Sequence, residues 1–256
     1  MRINPLTYRD TMVSIVTPLY NCEKFIAATI ESVILQSYTD WEMLIVDDNS
    51  DDASADIVSD YAHKDGRIRL FHNKTNQGAG ASRNIAIQAA KGEIIFFLDS
   101  DDIWLPGKLE KQISFMLTGN HLFTFTAIEK IDENGNLLKK QPEYPKARLT
   151  YKQALKYNPI GCLSAAYNCE MLGKVFMPQI RKRQDYALWL ALLKKTDAHC
   201  LQQVLARYRV RKESISSNKL DLVKYQWRLY HEIERLSLLK SLACIGSCTL
   251  HKILDK

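Results

Sequence analysis

Apolar residues in the first hundred positions follow two alternating patterns. Short apolar runs rich in β-branched residues are typical of buried strands, and they alternate with stretches in which apolar residues recur every three or four positions, as in helices. The pattern predicts strands over residues 13–17, 41–46, 68–72 and 93–98, with helices over residues 23–36, 53–62 and 80–90. Strands and helices at this spacing predict βαβ units, and therefore a parallel sheet with helices on both faces.

The pattern is less regular in the second half of the chain. It predicts strands over residues 121–128 and 164–168, one or two strands over 198–210, a helix over 184–194 and a turn at 132–136. A long helical pattern extends from about residue 220 to residue 250. The chain has 256 residues with no visible internal repeat, so its length predicts one large domain, or one domain with an extension.

Polar clusters follow three of the predicted strands at their carboxyl ends. The clusters are Pro18 to Asn21, Asp47 to Ser50 and Asp99 to Asp102. Ligands of open parallel sheets bind beyond the carboxyl ends of the strands. Three strands that deliver polar residues to one edge are a stronger indication of a binding site than any single motif.

The cluster from Asp99 to Asp102 contains three carboxylates directly after a buried apolar strand. Like charges this close repel each other, and each resists the loss of its water. A bound divalent cation relieves the repulsion, and aspartate oxygens suit Mg²⁺ or Mn²⁺. The alternative is a polar turn in which an aspartate caps a helix that begins near Pro106.

The end of the second strand offers a different chemistry. A carboxylate there, Asp47 or Asp48, can accept a hydrogen bond from a ribose hydroxyl or from a base N–H. A dinucleotide site would require GxGxxG after the first strand, but residues 17–22 contain no glycine, and Gly78-Ala79-Gly80 is only a weak match. A nicotinamide enzyme is therefore disfavoured. Tyr20 either stacks on a base or is an ordinary half-buried aromatic residue.

Two charged residues stand at predicted helix starts. Arg83 lies in the glycine-containing segment 76–84, where backbone N–H groups favour anions and the guanidinium can pair with a carboxylate or phosphate. Alone, this segment is equally compatible with a simple loop and a surface arginine. Asp185 begins the helix at 184–194, where it either complements the helix dipole or acts as a general base that takes a proton from a hydroxyl.

Composition places the chain among ordinary globular proteins, with 46% hydrophobic and 25% charged residues, but its net charge of +6 is uneven. Between Arg207 and Lys256 we count 11 basic against 5 acidic residues, so the other 24 basic and 24 acidic residues cancel. A basic tail favours phosphate-rich partners. Without a recognised nucleic-acid-binding motif or stacking array, an anionic membrane face is favoured over nucleic acid. The leucine-rich, basic helix at 225–250 suits either a membrane surface or packing onto the body.

The six cysteines are scattered and form no CxxC pair, so neither zinc ligation nor a disulfide framework is expected, and a reduced cytoplasmic compartment fits. The first 12 residues contain no apolar segment typical of a signal peptide. No apolar run reaches the roughly 20 residues that a spanning helix needs.

These motifs together resemble the large family 2 of inverting glycosyltransferases, which has the GT-A fold. The matching segments are VSIVTPLYN (13–21), IVDDNSDD (45–52), NQGAGASRN (76–84), FLDSDDIW (97–104), RQDYALW (183–189), YRVR (208–211) and SIS (214–216). The resemblance extends from about residue 13 to residue 217, and the last third resembles bacterial members that build capsule, O-antigen or teichuronic-type polysaccharides.

The resemblance implies roles for particular residues on the nucleotide side. Pro18, Tyr20 and Asp48 would surround the uracil, with Asp48 on its N3–H. Arg83 would help to hold the nucleotide pocket, and Asp99 would contact the ribose or the metal side.

The resemblance also implies the residues of the chemical step. Asp101 would be the direct ligand of Mn²⁺ or Mg²⁺, and Asp185 would be the catalytic base. Many members have Glu before the base, whereas this chain has Gln184. The QxxRW motif of processive synthases is missing, which favours single addition over polymer synthesis.

The fold that the resemblance implies is an α/β, Rossmann-like, mostly parallel sheet flanked by helices. The GT-A domain would cover residues 1–217, with a nucleotide-binding half at 13–102 and an acceptor-binding half at 103–217. Residues 218–256 would form a basic amphipathic helical extension.

The function that the resemblance implies is metal-dependent, inverting transfer of a sugar from a nucleotide-sugar donor, a UDP-sugar, to a saccharide acceptor linked to polyprenyl diphosphate. The product would belong to a bacterial surface polysaccharide such as O-antigen, lipopolysaccharide or capsule. The enzyme would be cytoplasmic and peripheral on the inner face of the plasma membrane. Two rivals stay open: a non-catalytic nucleotide-sugar-binding scaffold, and transfer directly to polyprenyl phosphate.

Overall fold

The computed structural model describes residues 11–211 and 219–254. Its first half consists of four strands and three helices in strict alternation: β1 (Val13–Leu19), α1 (Ile26–Ile34), β2 (Trp41–Asp47), α2 (Ser54–Lys64), β3 (Ile68–His72), α3 (Ala79–Ala89) and β4 (Ile94–Phe97). Every strand and helix expected there from the sequence is confirmed, with small shifts at the ends.

The second half contains shorter and less regular elements: β5 (Ile103–Trp104), α4 (Lys108–Thr118), β6 (Phe123–Ile131), β7 (Arg148–Leu149), α5 (Tyr151–Ala154), a 3₁₀ helix (Cys162–Ser164), β8 (Ala166–Asn168), α6 (Cys169–Leu172), α7 (Gln184–Leu193) and β9 (Ala198–Arg209). The stretch expected to form one or two strands is the single strand β9. The helix α4 and the short elements β5, β7, α5 and α6 were not predicted, because most of them are too short to show a period.

One sheet contains all nine of these strands in the part of the chain that the structure describes. Its order is β3-β2-β1-β4-β8-β6-β9-β5, with β7 also paired to β9. The first four strands are mutually parallel, as predicted. The second half adds antiparallel pairs, so the complete sheet is mixed. The carboxyl ends of β1, β2 and β4 lie at one edge, where their polar clusters meet.

Apolar cores cover both faces of the sheet. Successive side chains of a strand point to opposite faces, so a strand covered on both sides must be apolar throughout. In β4, Ile94 and Phe96 belong to the core beneath α1 and α4, whereas Ile95 and Phe97 belong to the core that contains residues of α3 and α7. The helix that begins at Asp185 therefore lies on the same side of the sheet as α3.

The C-terminal extension is helical, but in three segments rather than one. These are α8 (Lys219–Trp227), a π-helical segment (Arg228–Ile233) and α9 (Leu238–Leu254). The helical conformation is interrupted between the last two segments, where Arg235 has a left-handed φ of 53°. Leu229 and Tyr230 are fully buried in the core that α7 shares, so the extension packs onto the body.

Three earlier expectations concern residues that the structure does not describe. They are the SIS segment at 214–216, the domain boundary at 217, and the interpretation of residues 1–10. Among the helices of the described part, none is both long and apolar enough to cross a bilayer.

Candidate active site

The acidic loop after β4 is held by its backbone. The Asp102 N–H donates to the Asp99 carbonyl at 3.1 Å, which closes a turn. The Thr29 hydroxyl of α1 lies 2.9 Å from the Ser100 carbonyl and 2.8 Å from the Asp102 carbonyl. Before α1, Cys22 Sγ donates to Ser100 O at 3.3 Å. Neither the Asp99 nor the Asp101 carboxylate is used in these bonds, so both are left for other partners.

Arg83 in α3 pairs with the carboxylate of Asp99. The arginine is 5% exposed. Burial by itself would lower the pKa of Arg83, but the negative charge of Asp99, assisted by Cys162 and Asp185, raises that pKa above its ordinary value. The guanidinium is therefore a permanent cation at the edge of the sheet. Its Nε is buried without a hydrogen-bond partner among the described residues.

Asp101 and Asp102 carry charge that their surroundings compensate only in part. Asp101 Oδ2 is 3.4 Å from Arg211 Nη1. Burial and the neighbouring Asp99 carboxylate raise the pKa of Asp101, against the opposing effect of Arg211. Asp102 Oδ1 accepts from the Arg209 N–H at 2.8 Å, while Oδ2 is buried with no hydrogen-bond partner in the described part of the chain. Burial, together with Asp101 and Asp99, raises the pKa of Asp102 well above its ordinary value. The loop is thus an electrostatic environment that favours an added cation.

Asp185 is the second residue of α7 and belongs to the same charge cluster. Tyr208, on β9, shows this most directly: burial raises the pKa of Tyr208 to about 12, and the charges of Asp102, Asp99, Asp101 and Asp185 add to the effect. The four carboxylates therefore lie within electrostatic reach of one phenol, although the acidic loop and Asp185 are more than 80 residues apart in sequence.

The first turn of α3 connects this cluster to the end of β2. A Cβ on Gly80 would lie 3.0 Å from Gln184 Cγ, so the start of α3 packs tightly against the start of α7. One turn further, Arg83 reaches Asp99. On the other side, the Gly78 N–H donates to Asp48 Oδ2 at 2.7 Å. The residues expected on the nucleotide side and those expected in the chemical step therefore surround the same helix start.

Asp48 is 2% exposed and accepts three hydrogen bonds. Besides Gly78, the donors are Asn73 Nδ2 at 2.7 Å and the Gln77 N–H at 2.9 Å, both to Oδ1. Asp48 therefore holds the segment that leads into α3. Its expected bond to a uracil N3–H stays a prediction, and the lone pair that remains on Oδ2 is the acceptor that such a bond would use.

Pro18 and Tyr20 stand at the end of β1. Pro18 is buried within the strand and is in register with Val46 of β2. Tyr20 is 48% exposed, so its ring is available to a flat partner. The next residue, Asn21, joins the β1 and β2 ends, because its N–H donates to Ser50 Oγ at 3.1 Å.

Several residues of the site were not singled out from the sequence. Asn73 supports Asp48, and Cys162 lies within electrostatic reach of Arg83 and Asp185. Arg209 reaches the acidic loop from the end of β9, with its Nε on Asp101 O at 2.8 Å. Tyr208, Arg209 and Arg211 entered the sequence analysis only within a matching motif, which was the one available signal for them.

The acidic loop suits a divalent cation of one particular kind. In the described ranges, no group of three or more His, Cys, Asp and Glu side chains forms a complete metal site. Mg²⁺ does not need such a group, because it is usually held by one or two carboxylates and completes its shell with water and substrate phosphates. Asp101, with Asp99 beside it, is a donor set of that kind, and the unpartnered Asp102 Oδ2 indicates a deficit of positive charge.

Comparison with solved structures identifies the fold as GT-A. The chain superposes on the crystal structure of S. aureus TarS 1–349 in complex with UDP-GlcNAc with a TM-score of 0.72 and 21% identity, covering 91% of this chain and 70% of that one. The mannosyltransferase PcManGT from Pyrobaculum calidifontis, in complex with GDP-Man and Mn²⁺, gives a TM-score of 0.64 at 16% identity, covering 93% and 68%.

Sequence comparison identifies the family. The putative teichuronic acid biosynthesis glycosyltransferase TuaG of Bacillus subtilis (strain 168) is 44% identical over 93% of this chain and 95% of its own length. The Escherichia coli UDP-Glc:alpha-D-GlcNAc-diphosphoundecaprenol beta-1,3-glucosyltransferase WfgD is 40% identical over 85% of each. The profile of Glycosyl transferase family 2 matches residues 14–176. The chain is therefore a glycosyltransferase with a GT-A fold and belongs to glycosyltransferase family 2.

Proposed function

We propose that this enzyme transfers a sugar from a UDP-sugar to a saccharide linked to polyprenyl diphosphate, in one inverting and metal-dependent step of bacterial surface polysaccharide synthesis. The proposal rests above all on one observation. The start of α3 packs against Gln184, the neighbour of Asp185, while Arg83 of the same helix pairs with Asp99 and the Gly78 N–H before it donates to Asp48 at 2.7 Å.

The names of the relatives support the choice of donor and acceptor. WfgD and WfaP of Escherichia coli, 40% and 38% identical, both use UDP-Glc and a GlcNAc-diphosphoundecaprenol acceptor according to their names. UDP-glucose is therefore the first donor to test. Whether the product is an O-antigen, a capsule or a teichuronic-type polymer depends on the acceptor.

Asp185 and the acidic loop have different roles in the proposed reaction. Asp185 takes the proton of the acceptor hydroxyl as that oxygen attacks the anomeric carbon from the face opposite to the leaving diphosphate. Inversion in one displacement needs no protein nucleophile. Asp101, with Asp99, would hold Mn²⁺ or Mg²⁺, which when bound stabilises the negative charge that develops on the diphosphate.

Release of UDP tests the proposal. The purified enzyme is incubated with Mn²⁺, a panel of UDP-sugars and a panel of acceptors that carry either a saccharide on a lipid diphosphate or a bare lipid phosphate. We expect UDP release only with a cognate donor and a saccharide acceptor. Release with the bare lipid phosphate would establish the direct-transfer rival. Donor binding without release on any acceptor would favour the non-catalytic scaffold.

The same proposal places the enzyme on the inner face of the plasma membrane, in contact through α9. The exposed leucines Leu239, Leu242 and Leu250 stand three and eight residues apart, which places them on one face of this helix, while Cys248 on the other side is buried. The basic excess of the last fifty residues complements anionic lipid headgroups. An apolar helix face with cationic neighbours is typical of a helix that lies in the membrane interface.

Sedimentation with vesicles of phosphatidylglycerol and phosphatidylcholine tests this contact. We expect Leu239→Asp with Leu242→Asp to abolish cosedimentation. The matched control is Leu35→Asp, since Leu35 is 76% exposed on the body of the enzyme. Equal cosedimentation of both variants would refute the assignment of α9 to the membrane.

A further inference from the structure

A buried hydrogen-bonded cluster joins the C-terminal extension to the helix that begins beside Asp185. It consists of Tyr186 in the first turn of α7, Tyr230 in the π-helical segment and Cys248 in α9. The two hydroxyl oxygens are 2.9 Å apart, and Tyr230 Oη is 3.1 Å from Cys248 Sγ. The rings of the two tyrosines meet edge to face at a centroid distance of 6.3 Å.

The same hydroxyls cap the end of α5. Tyr186 donates to the Ala154 carbonyl, and Tyr230 lies 2.8 Å from the Leu155 carbonyl. The last carbonyls of a helix have no partner within it, so these bonds supply what α5 lacks. Three protons are available for the cluster. Because the Tyr186 proton is donated to the Ala154 carbonyl, the single Tyr230 proton has two acceptors, the Leu155 carbonyl and the Tyr186 oxygen. The Cys248 thiol can then donate to the Tyr230 oxygen, so every oxygen has a partner.

A second contact reaches the other end of α7. The Glu234 side chain is 2% exposed and accepts from Lys194 Nζ at 2.8 Å, and Lys194 directly follows α7. Glu234 also accepts from the hydroxyl of Tyr151, the first residue of α5. A carboxylate this buried would be costly without partners, so the pairing fixes its position. The extension therefore holds α7 at both ends.

The first turn of α7 has little support of its own. Its N-cap residue, Arg183, has a left-handed φ of 68° and makes no side-chain capping bond. A helix start normally depends on such a cap. In its absence, the turn that contains Asp185 is held by two tertiary contacts, the packing of Gly80 against Gln184 and the bonds of the adjacent Tyr186.

We infer that Tyr230 and Glu234 are positioning residues for Asp185, and that the C-terminal extension thereby contributes to the geometry of the active site. The inference rests on the proposed role of Asp185 as the base. A displacement of about 1 Å at a reacting group can cost up to about a hundredfold in rate, so loss of the Tyr230 hydroxyl lowers kcat and leaves donor binding intact.

The test compares Tyr230→Phe with Tyr167→Phe. Tyr167 is equally buried in the same core, and its hydroxyl also has one backbone partner, the Val175 N–H at 3.2 Å, but it lies on β8. We expect Tyr230→Phe to lower kcat about tenfold with an unchanged KM for the donor, and to accelerate hydrogen exchange over residues 184–193. Tyr167→Phe is expected to leave kcat and that exchange as in the wild type. Glu234→Gln is the second variant, in case Tyr230→Phe does not fold, with faster exchange at the C-terminal end of α7.

Each outcome decides the inference. Equal kcat and equal α7 exchange in the two tyrosine variants would overturn it, and so would an equal loss in both, which would indicate general destabilisation. If the wild-type enzyme transfers no sugar from any donor, the proposed function fails instead, and hydrogen exchange alone then decides whether Tyr230 and Glu234 hold α7.

Discussion

Asp48 and Asp185 are both central to the site, but the chain holds them in opposite ways. Asp48 follows a parallel strand and accepts three N–H donors from a segment 25 to 30 residues further along the chain. Asp185 begins a helix without a capping side chain, and its position depends on Gly80 and on Tyr230, which are 105 and 45 residues away in sequence. The proposed nucleotide side is thus built by contacts between successive elements of a regular sheet, and the proposed base is placed by packing against segments still farther away in sequence.

The two halves bury different polar groups. In the first half, the side chains of β1 and β4 that enter the sheet core are mostly apolar, and the buried Ser14 hydroxyl donates to Glu42 Oε1 at 2.7 Å. The second half instead buries the polar side chains of Lys108 and Gln112, and Lys108 Nζ donates to Gln112 Oε1 at 2.6 Å. Gln112 Nε2 in turn donates to the Thr124 hydroxyl and to the Ser164 carbonyl. Such networks specify a geometry only when all members are satisfied. The following predictions test whether this division between the halves holds.

The largest effect is expected from Asp185→Asn. The amide cannot take the proton of the acceptor, so we expect turnover to fall by about a thousandfold, while UDP binding, which we propose for the other half, is unchanged. Steady-state UDP release and calorimetric titration with UDP measure the two quantities. Turnover near that of the wild type would show that Asp185 is not the base.

Asp101→Ala addresses the proposed metal contact. We expect the affinity for the donor to become the same with and without Mn²⁺, because the carboxylate that would hold the cation is gone. Calorimetric titration in the presence of Mn²⁺ or of EDTA provides the comparison. If Mn²⁺ still strengthened donor binding in the variant to the same degree, Asp101 would not be the ligand.

Asp48→Asn tests how the proposed nucleotide side is held together. The NH₂ group of the asparagine replaces one acceptor oxygen and faces an N–H donor, so a hydrogen bond is lost. Because a hydrogen bond to a charged group contributes about 1.5–3 kcal/mol, we expect the free energy of unfolding to fall by about 2–4 kcal/mol. Urea denaturation measures it. Asp51→Asn, at an exposed position of the same loop, is the control and should change stability little. Equal stability of both variants would contradict the structural role of Asp48.

Gly80→Ala tests the long-range contact between α3 and α7. The added methyl group would lie 3.0 Å from Gln184 Cγ, which a χ1 rotation can move, and 3.2 Å from Gln184 Cβ, which moves only with the backbone of α7. We expect kcat to fall about tenfold with little change in UDP affinity. Gly66→Ala is the matched control, since nothing lies within 4 Å of its added Cβ. A normal kcat in Gly80→Ala would show that Asp185 tolerates displacement of the helix start.

The smallest effect concerns Lys108, whose burial lowers its pKa to about 7 from 10.5. Between these values the unfolded chain binds a proton that the folded enzyme does not, so Lys108 makes stability rise with pH from about 7 to about 10. Lys108→Met should remove this slope. Urea denaturation at pH 7 and pH 9 measures the difference, and an identical pH dependence in both proteins would indicate that Lys108 is charged when buried.

Sequence patterns predicted the first half of the fold well for a physical reason. A parallel strand buried on both faces must be apolar along its length, and an intervening helix must be apolar on one side, so β1 to β4 and α1 to α3 are each visible in a short window. Polar residues at the strand ends break this pattern, which is why the clusters that contain Asp48, Asp99 and Asp101 could be selected from the sequence, whereas these individual residues were singled out by the family resemblance. The helix of Asp185 was also predicted, but not what holds it.

The amino-acid sequence by itself determined the alternating strands and helices, the polar edge at their carboxyl ends and the motifs of the family. The tertiary structure decided what local patterns cannot express: that Asp48 is engaged by the segment before α3, that Arg83 pairs with Asp99, and that the C-terminal helices reach Tyr186. These contacts join residues far apart in the chain, and their energy comes from burial and from hydrogen bonds that exist only once the distant segments have packed together.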